Sequence, residues 1–142
     1  MADPRLTDQY DEIQAESVTA IVDGTSLVYD STKNNGCVGA GLAVKLTAAS
    51  TVGLTTDASH VYGKLVRVEW DGYCNVQVEG YVKLPGGLTA TLTHGSKIVG
   101  ATGVAAAQGY VRVAAPATLA EVAVARGMIV DNSDPTNCVI RL

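Results

Sequence analysis

The chain has 142 residues, the length of a single domain, and its 10 Lys and Arg against 14 Asp and Glu give a net charge of −4. No basic patch is evident, which argues against nucleic acid as a partner, and no apolar run approaches the roughly 18 residues needed to span a membrane. The start of the chain has no apolar signal-peptide core, so export is not expected.

The composition favours strands and turns. Phe is absent, Trp occurs once, and Ala, Val, Thr and Gly dominate. Val and Thr are enriched in strands, and the 15 Gly favour tight turns. These features alone predict a small β-rich domain.

Residues 1–17 form a polar, acidic arm ahead of a β-rich domain at 18–142. The whole net charge lies on this arm, because its first 16 residues hold five acids and a single arginine. Leu6, Tyr10 and Ile13 recur at the spacing of one helical face. Two interpretations stay open: a flexible, frayed terminus, or an arm that becomes ordered when these three apolar side chains bind a groove on a partner.

The rest of the chain predicts about nine short strands and one helix. A loop rich in Asn and Gly is expected at residues 30–41. The close spacing of strands and turns predicts a small single-domain β-barrel or sandwich with one short helix. The candidate segments from which these strands are drawn are 18–22, 27–29, 42–46, a short piece at 52–54, the two arms of a hairpin at 62–84, 88–92, 97–99, 109–114, 128–130 and 138–142.

The hairpin has the clearest pattern. Its arms alternate apolar and polar residues on either side of Asp71-Gly72, a strong hairpin signal. A three-residue turn, 70–72, pairs Val68 with Cys74 and Val66 with Val76, so that the apolar side chains of both arms share one face. Gly72 is then expected in the left-handed conformation of a bulged turn.

The predicted helix covers residues 116–126. Pro116 stands near its start and Gly127 just beyond its end, which is the usual asymmetry of helix termini. Leu119, Val122 and the stem of Arg126 are expected to face the sheet. Val122 also permits a strand here, which leaves that alternative open.

No set of residues predicts catalysis, a cofactor or a metal. The histidines, His60 and His94, are expected on a solvated loop and a turn, and no Gly-x-Ser-x-Gly motif accompanies them. Three widely spaced cysteines fit neither a disulfide framework nor a zinc site, and Cys74 is expected in the core. The acidic turn at 131–134 resembles the start of a calcium loop but lacks its glycine and distal glutamate.

Exposed aromatic residues offer a possible binding surface. Trp70, Tyr73, Tyr81 and Tyr110 could stack on sugars or bases, and this supports a small carbohydrate- or cell-surface-binding β module as the alternative function. The first two lie at a hairpin tip, where a local aromatic cluster or a contact with a partner protein is the favoured interpretation.

Three runs carry a family resemblance: VYGKLVRVEWDGYCNVQVEGYV at 61–82, KIVG at 97–100 and VAVARGMIV at 122–130. They resemble the small head decoration, or cement, proteins of tailed bacteriophages, over roughly residues 44–142. The resemblance implies a non-enzymatic virion structural protein that binds and reinforces the exterior of the assembled capsid. It implies the major capsid protein as partner and copies at local three-fold axes, often as homotrimers, made in the host cytoplasm.

The residues expected to contact the capsid come from the arm and the hairpin, not from the resemblance. Leu6, Tyr10 and Ile13 are the first candidates, and Trp70 and Tyr73 the second. The arm lies outside the run that resembles the family, so the mode of attachment stays open.

Overall fold

A computed structural model describes residues 16–88, 91–134 and 136–142. Within these ranges the chain forms ten strands, one short 3-10 helix at Val104–Ala106 and one α-helix, which confirms the predicted mostly-β fold. Of the two predicted architectures, barrel and sandwich, the structure contains a closed barrel. The strands are β1 (Glu16–Val22), β2 (Ala43–Ala48), β3 (Thr51–Leu54), β4 (Gly63–Val68), β5 (Tyr73–Glu79), β6 (Tyr81–Pro85), β7 (Ile98–Ala101), β8 (Tyr110–Val113), β9 (Met128–Asp131) and β10 (Asn137–Arg141), and helix α1 is Leu119–Val124.

The first five strands close into a barrel with the order β1-β3-β2-β4-β5. Neighbouring strands are antiparallel except β1 and β3, which run parallel. Alternation along each strand sends apolar side chains inward. The buried members of this core are Ala20, Leu27, Cys37, Val44, Val52, Leu65, Val68, Cys74, Val76 and Val78.

The later strands form two small sheets around a second core. β6, β10 and β9 make one sheet, and β7 and β8 the other. Backbone hydrogen bonds link the sheets at both margins: Ile129 N–H donates to Ser96 O at 3.0 Å, and Gly87 N–H donates to Val111 O at 2.9 Å. The core between them is made of Ala43, Val61, Val82, Leu84, Leu92, Ile98, Val111, Ile129, Cys138 and Ile140.

The central hairpin has the predicted turn but not the whole predicted register. Val68 pairs with Cys74, and Gly72 has a φ of 84°, both as expected. A β-bulge between Leu65 and Arg67 then shifts the register, so that Leu65 pairs with Val76. The predicted pairing of Val66 with Val76 is wrong, because the bulge turns Val66 outward and Leu65 supplies the buried side chain.

Two predicted strands do not form among the described residues. Residues 27–29 lie in a coil because the Asp23 side chain builds a turn just before them: its Oδ1 accepts from Thr25 N–H at 3.0 Å and from Leu27 N–H at 2.9 Å. Leu88, Thr91 and Leu92 are not in a strand either; Leu92 packs in the second core, and its carbonyl accepts from Asn132 Nδ2 at 2.7 Å.

Helix α1 is shorter than predicted and buries a different face from the predicted one. Leu119 is 84% exposed and Val122 is also exposed, so the prediction that they face the sheet is wrong. The buried side chain is Glu121, 9% exposed, whose two carboxylate oxygens each accept a hydrogen bond from Arg112 on β8 at 2.8 Å. This bidentate pair, rather than apolar packing, fixes the helix to the sheet.

The ion pair predicts a pH dependence of stability. The hydrogen bonds from Arg112 lower the pKa of Glu121 from 4.5 to about 2. A carboxylate whose pKa is depressed in the folded state stabilises the fold above its unfolded pKa, and this contribution is lost as pH falls from about 4.5 toward 2. Glu121→Gln should therefore be less stable than the parent at pH 7, and the difference should shrink across that window.

Chemical denaturation of both chains, from about pH 7 down to pH 2.5, measures this difference directly. Several other carboxylates have lowered pKa values, among them Asp23 and Asp131, so the parent alone does not isolate Glu121. Subtracting the stability curve of Glu121→Gln from that of the parent isolates the contribution of Glu121. A difference that stays constant across the window would show that the pair does not stabilise the fold through its charge.

Candidate interaction surface at the end of the barrel

The long connection between β1 and β2, residues 23–42, covers one end of the barrel. It begins with the turn held by Asp23, and the next side chain inward, Leu27, is fully buried. The connection then crosses the barrel wall, where Gly41 N–H donates to Leu65 O at 2.7 Å and Leu65 N–H donates to Leu42 O at 2.9 Å. Leu27 thus closes the barrel end while the backbone on either side remains at the surface.

The tip of the β4–β5 hairpin lies at the same end. Val22 N–H donates to Gly72 O at 3.0 Å, which brings the end of β1 to the hairpin turn. Val68 N–H donates to Asn35 O at 2.9 Å, which fastens the 23–42 connection to the end of β4. The connection and the hairpin tip therefore form one continuous rim.

Apolar side chains are exposed along this rim. Trp70 is 78% exposed and Tyr73 is 49% exposed, and Ile21, the strand neighbour of Tyr73, is exposed beside it. We call this set the end surface; its members are Ile21, Val28, Tyr29, Val38, Trp70 and Tyr73. Aromatic residues on an exposed rim of this kind are the ones that dominate the energy of protein–protein contacts.

A groove runs from the end surface toward β8. It has a volume of about 730 Å³ and an apolar wall that includes Tyr29, Val38 and Leu54. Tyr110 and Gln108 also line it. A smaller, polar pocket of about 460 Å³ adjoins it, and there Lys45 Nζ donates to Thr56 Oγ1 at 2.8 Å.

The predicted contact residues divide into two groups. Trp70 and Tyr73 lie together at the hairpin tip, exposed as a contact surface requires. Leu6, Tyr10 and Ile13 lie outside the described residues.

Sequence reasoning missed most of the end surface. Ile21 could have been found, because alternation along β1 places it on the outer face when Ala20 is inside. Val28, Tyr29 and Val38 lie in irregular backbone, where no periodicity signals exposure. They follow from the tertiary contacts of the 23–42 connection.

The histidines and the acidic turn have structural roles. His60 Nε2 accepts a hydrogen bond from Leu46 N–H at 3.0 Å, and His94 is exposed in a turn. Asp131 Oδ1 accepts from Ser133 N–H at 2.9 Å, so this carboxylate closes its own turn. Among the described residues, no group of three or more His, Cys, Asp or Glu side chains is arranged to hold a metal ion.

All three cysteines are free and buried. Burial raises the pKa of Cys74 to about 11 and that of Cys138 to about 11. Both thiols are therefore protonated near neutral pH and act as small apolar core residues, as predicted for Cys74.

In the described part of the chain, no helix has the length and apolar character needed to cross a bilayer. Comparisons of the chain with protein-family models, with curated proteins and with solved structures give no match.

Proposed function

We propose that this chain is a virion structural protein that decorates the outer surface of an assembled bacteriophage capsid and stabilises the shell. The proposed partner is the major capsid protein. The resemblance of three sequence runs to head decoration proteins supports the class of partner. The observation that carries the proposal is the end surface, which presents Trp70 and Tyr73 to solvent from a closed barrel.

The geometry suits adhesion to a repeating shell. A closed barrel holds the end surface in one shape, so little conformational entropy is lost when it binds. Burying an exposed aromatic side chain in a complementary pocket favours association through its large apolar area. Each contact can be weak, because many copies on one lattice, or an oligomer that engages several sites, gain by avidity.

Binding of this kind stabilises the shell by mass action. A chain that spans two capsid subunits binds the assembled state and not the separated subunits, so it shifts the equilibrium toward assembly. The decoration protein needs no reactive side chains for this role. It needs shape, exposed contact area and enough copies.

Cosedimentation with expanded capsid shells tests the proposal. The double variant Trp70→Ala/Tyr73→Ala should bind shells at least about tenfold more weakly than the parent, because truncation of a hot-spot residue, a class in which Trp and Tyr are enriched, costs about 2 kcal/mol or more. Both side chains are exposed in the free protein, so the fold should be unaffected. Val104→Ala is the matched control, since Val104 is exposed on a different loop and should bind as the parent does.

The second candidate is a carbohydrate-binding module, favoured by the groove with Tyr29 and Tyr110 along its sides. Its volume lies within the usual range of ligand pockets, roughly 300–1,000 Å³. Binding to immobilised glycans separates the two functions. A parent chain that binds glycans, is impaired by Tyr29→Ala, and ignores every capsid shell offered to it would replace the capsid proposal with this one.

A further inference from the structure

The outer edge of β1 is unpaired over most of its length. β5 runs along one side of β1 from Glu16 to Ile21. On the other side β3 pairs only with Ile21 and Val22, because β3 begins at Thr51, directly after the turn that ends β2. Within the described residues, no strand covers the side of residues 16–20 that faces away from β5.

The hydrogen bonds at the end of β1 show which backbone groups reach this open edge. Val22 N–H donates to Gly72 O on the β5 side, and Ile21 N–H donates to Ser50 O on the β3 side. Backbone groups alternate between the two sides of a strand, so Ser17 and Thr19 point the same way as Ile21. The N–H and C=O groups of Ser17 and Thr19 therefore face the open edge, and both residues are exposed.

An acid on the edge strand, Glu16, already faces a second acid on the strand behind it. Glu16 and Glu79 stand directly opposite each other across β1 and β5, and both are exposed. Like charges in this position are unfavourable. Neither carboxylate forms an ion pair in the part of the chain that the structure describes. A cation placed here by a partner would relieve the repulsion.

We propose that this edge binds an extended segment of a partner protein, which adds a strand beside Glu16–Ala20 and places a lysine or arginine next to Glu16, whose other neighbour across the sheet is Glu79. The backbone of Ser17 and Thr19 can form up to four hydrogen bonds with such a strand, and the acid pair selects for positive charge. The inference rests on the geometry of β1 and holds whether or not the partner belongs to a capsid.

Charge favours a basic partner over the two occupants that the chain itself could supply. The segment before β1 carries four acids against Arg5, so it would bring further negative charge to Glu16 and Glu79. A second copy pairing through its own β1 would bring another Glu16 and another acidic segment. Both arrangements increase the repulsion that a basic strand would relieve.

The first test uses a fluorescein-labelled peptide, Gly-Thr-Val-Lys-Val-Lys-Val-Thr-Gly, and a twin in which Glu replaces both Lys. The parent chain should bind the basic peptide saturably and its acidic twin at least about tenfold more weakly at low salt. Thr19→Pro removes an N–H group that points to the open edge, and it leaves the hydrogen bonds between β1 and β5 in place. This variant should lose at least about tenfold in affinity, whereas Thr19→Ala, which keeps the N–H group, should stay within about twofold of the parent.

If Thr19→Pro does not fold, amide hydrogen exchange of the parent chain tests the proposed strand addition instead. In the free chain the amide protons of Ser17 and Thr19 should exchange rapidly while those of Val18 and Ala20 are protected by β5, and adding the basic peptide should protect Ser17 and Thr19. The proposal is overturned if the peptide leaves these two amides unprotected. It is also overturned if the acidic twin binds equally well, or if the two amides are already protected by the chain's own first 15 residues or by a concentration-dependent dimer.

Discussion

Replacing Gly36 by alanine should lower the free energy of unfolding by about 3 kcal/mol or more and disrupt the end surface. Gly36 has a φ of 72°, a left-handed conformation that side chains rarely adopt. A Cβ at this position would also fall inside contact distance of Val68 O and lie 3.2 Å from the ring of Tyr29. Because the carbonyl belongs to β4, the connection would have to move away from the barrel.

Gly24→Ala is the matched control for this prediction. Gly24 lies in the same connection and has almost the same φ, 71°, but no atom lies within 4 Å of the position its Cβ would take. Gly24→Ala should lower the free energy of unfolding only by the cost of placing alanine in a left-handed conformation, about 1 kcal/mol. Urea denaturation of the two variants measures both values, and equal losses would show that close packing at Gly36 does not hold the connection to the barrel.

Replacing Arg126 by methionine should cost about 2–4 kcal/mol, because it removes two charged hydrogen bonds and leaves two carbonyls without their donors. The Arg126 guanidinium donates to Tyr62 O at 2.7 Å and to Val78 O at 2.5 Å. Val78 is on β5 of the barrel, and Tyr62 directly precedes β4 and packs against the barrel core. The Arg126 backbone pairs with Ile98 of the second core. Arg126 therefore bonds to both halves of the molecule, in addition to backbone links such as the one from Ala43 N–H to Gly109 O at 2.9 Å.

Two further variants separate this role from the loss of charge. Arg141→Met removes an exposed arginine at the end of β10 and should leave the free energy of unfolding within about 0.5 kcal/mol of the parent. Arg126→Lys should recover only part of the loss, since a lysine ammonium does not reproduce the planar fork that reaches both carbonyls. If Arg126→Met unfolded at the same urea concentration as Arg141→Met, the fastening role of Arg126 would be wrong.

The sequence predicts the fold wherever local chemistry decides the structure. Asp71-Gly72 fixes the turn, and the turn fixes the pairing of Val68 with Cys74. Two residues further from the turn the prediction fails, because the bulge at Val66 reflects how β4 must bend to meet β2 as well as β5. That requirement comes from closing the barrel and leaves no signal in the hairpin itself.

The orientation of helix α1 also depends on a tertiary contact that the local sequence does not reveal. An apolar pattern normally marks the buried face, so Leu119 and Val122 were expected to pack inward. The buried face is instead set by Glu121, whose partner Arg112 stands on β8. A sequence pattern within the helix cannot reveal an ion pair formed with another element.

The end surface was predicted in part. The sequence identifies Trp70 and Tyr73 because they are aromatic residues at the tip of a predicted hairpin, where they can form a local cluster or contact a partner protein. Tyr29 and Val38 belong to the same rim only because Asn35 and Gly36 attach their connection to the end of β4. Their exposure depends on contacts between segments more than 30 residues apart in sequence, such as Asn35 and Val68.

A difference map between decorated and undecorated capsid shells, obtained by electron cryomicroscopy, tests the central claim most directly. Capsid binding through the end surface predicts added density on the outer face of the shell, with the barrel end that carries Trp70 and Tyr73 turned toward the capsid subunits. Shells incubated with excess chain that show no added density, or bound barrels whose Trp70 end points into solvent, would contradict it.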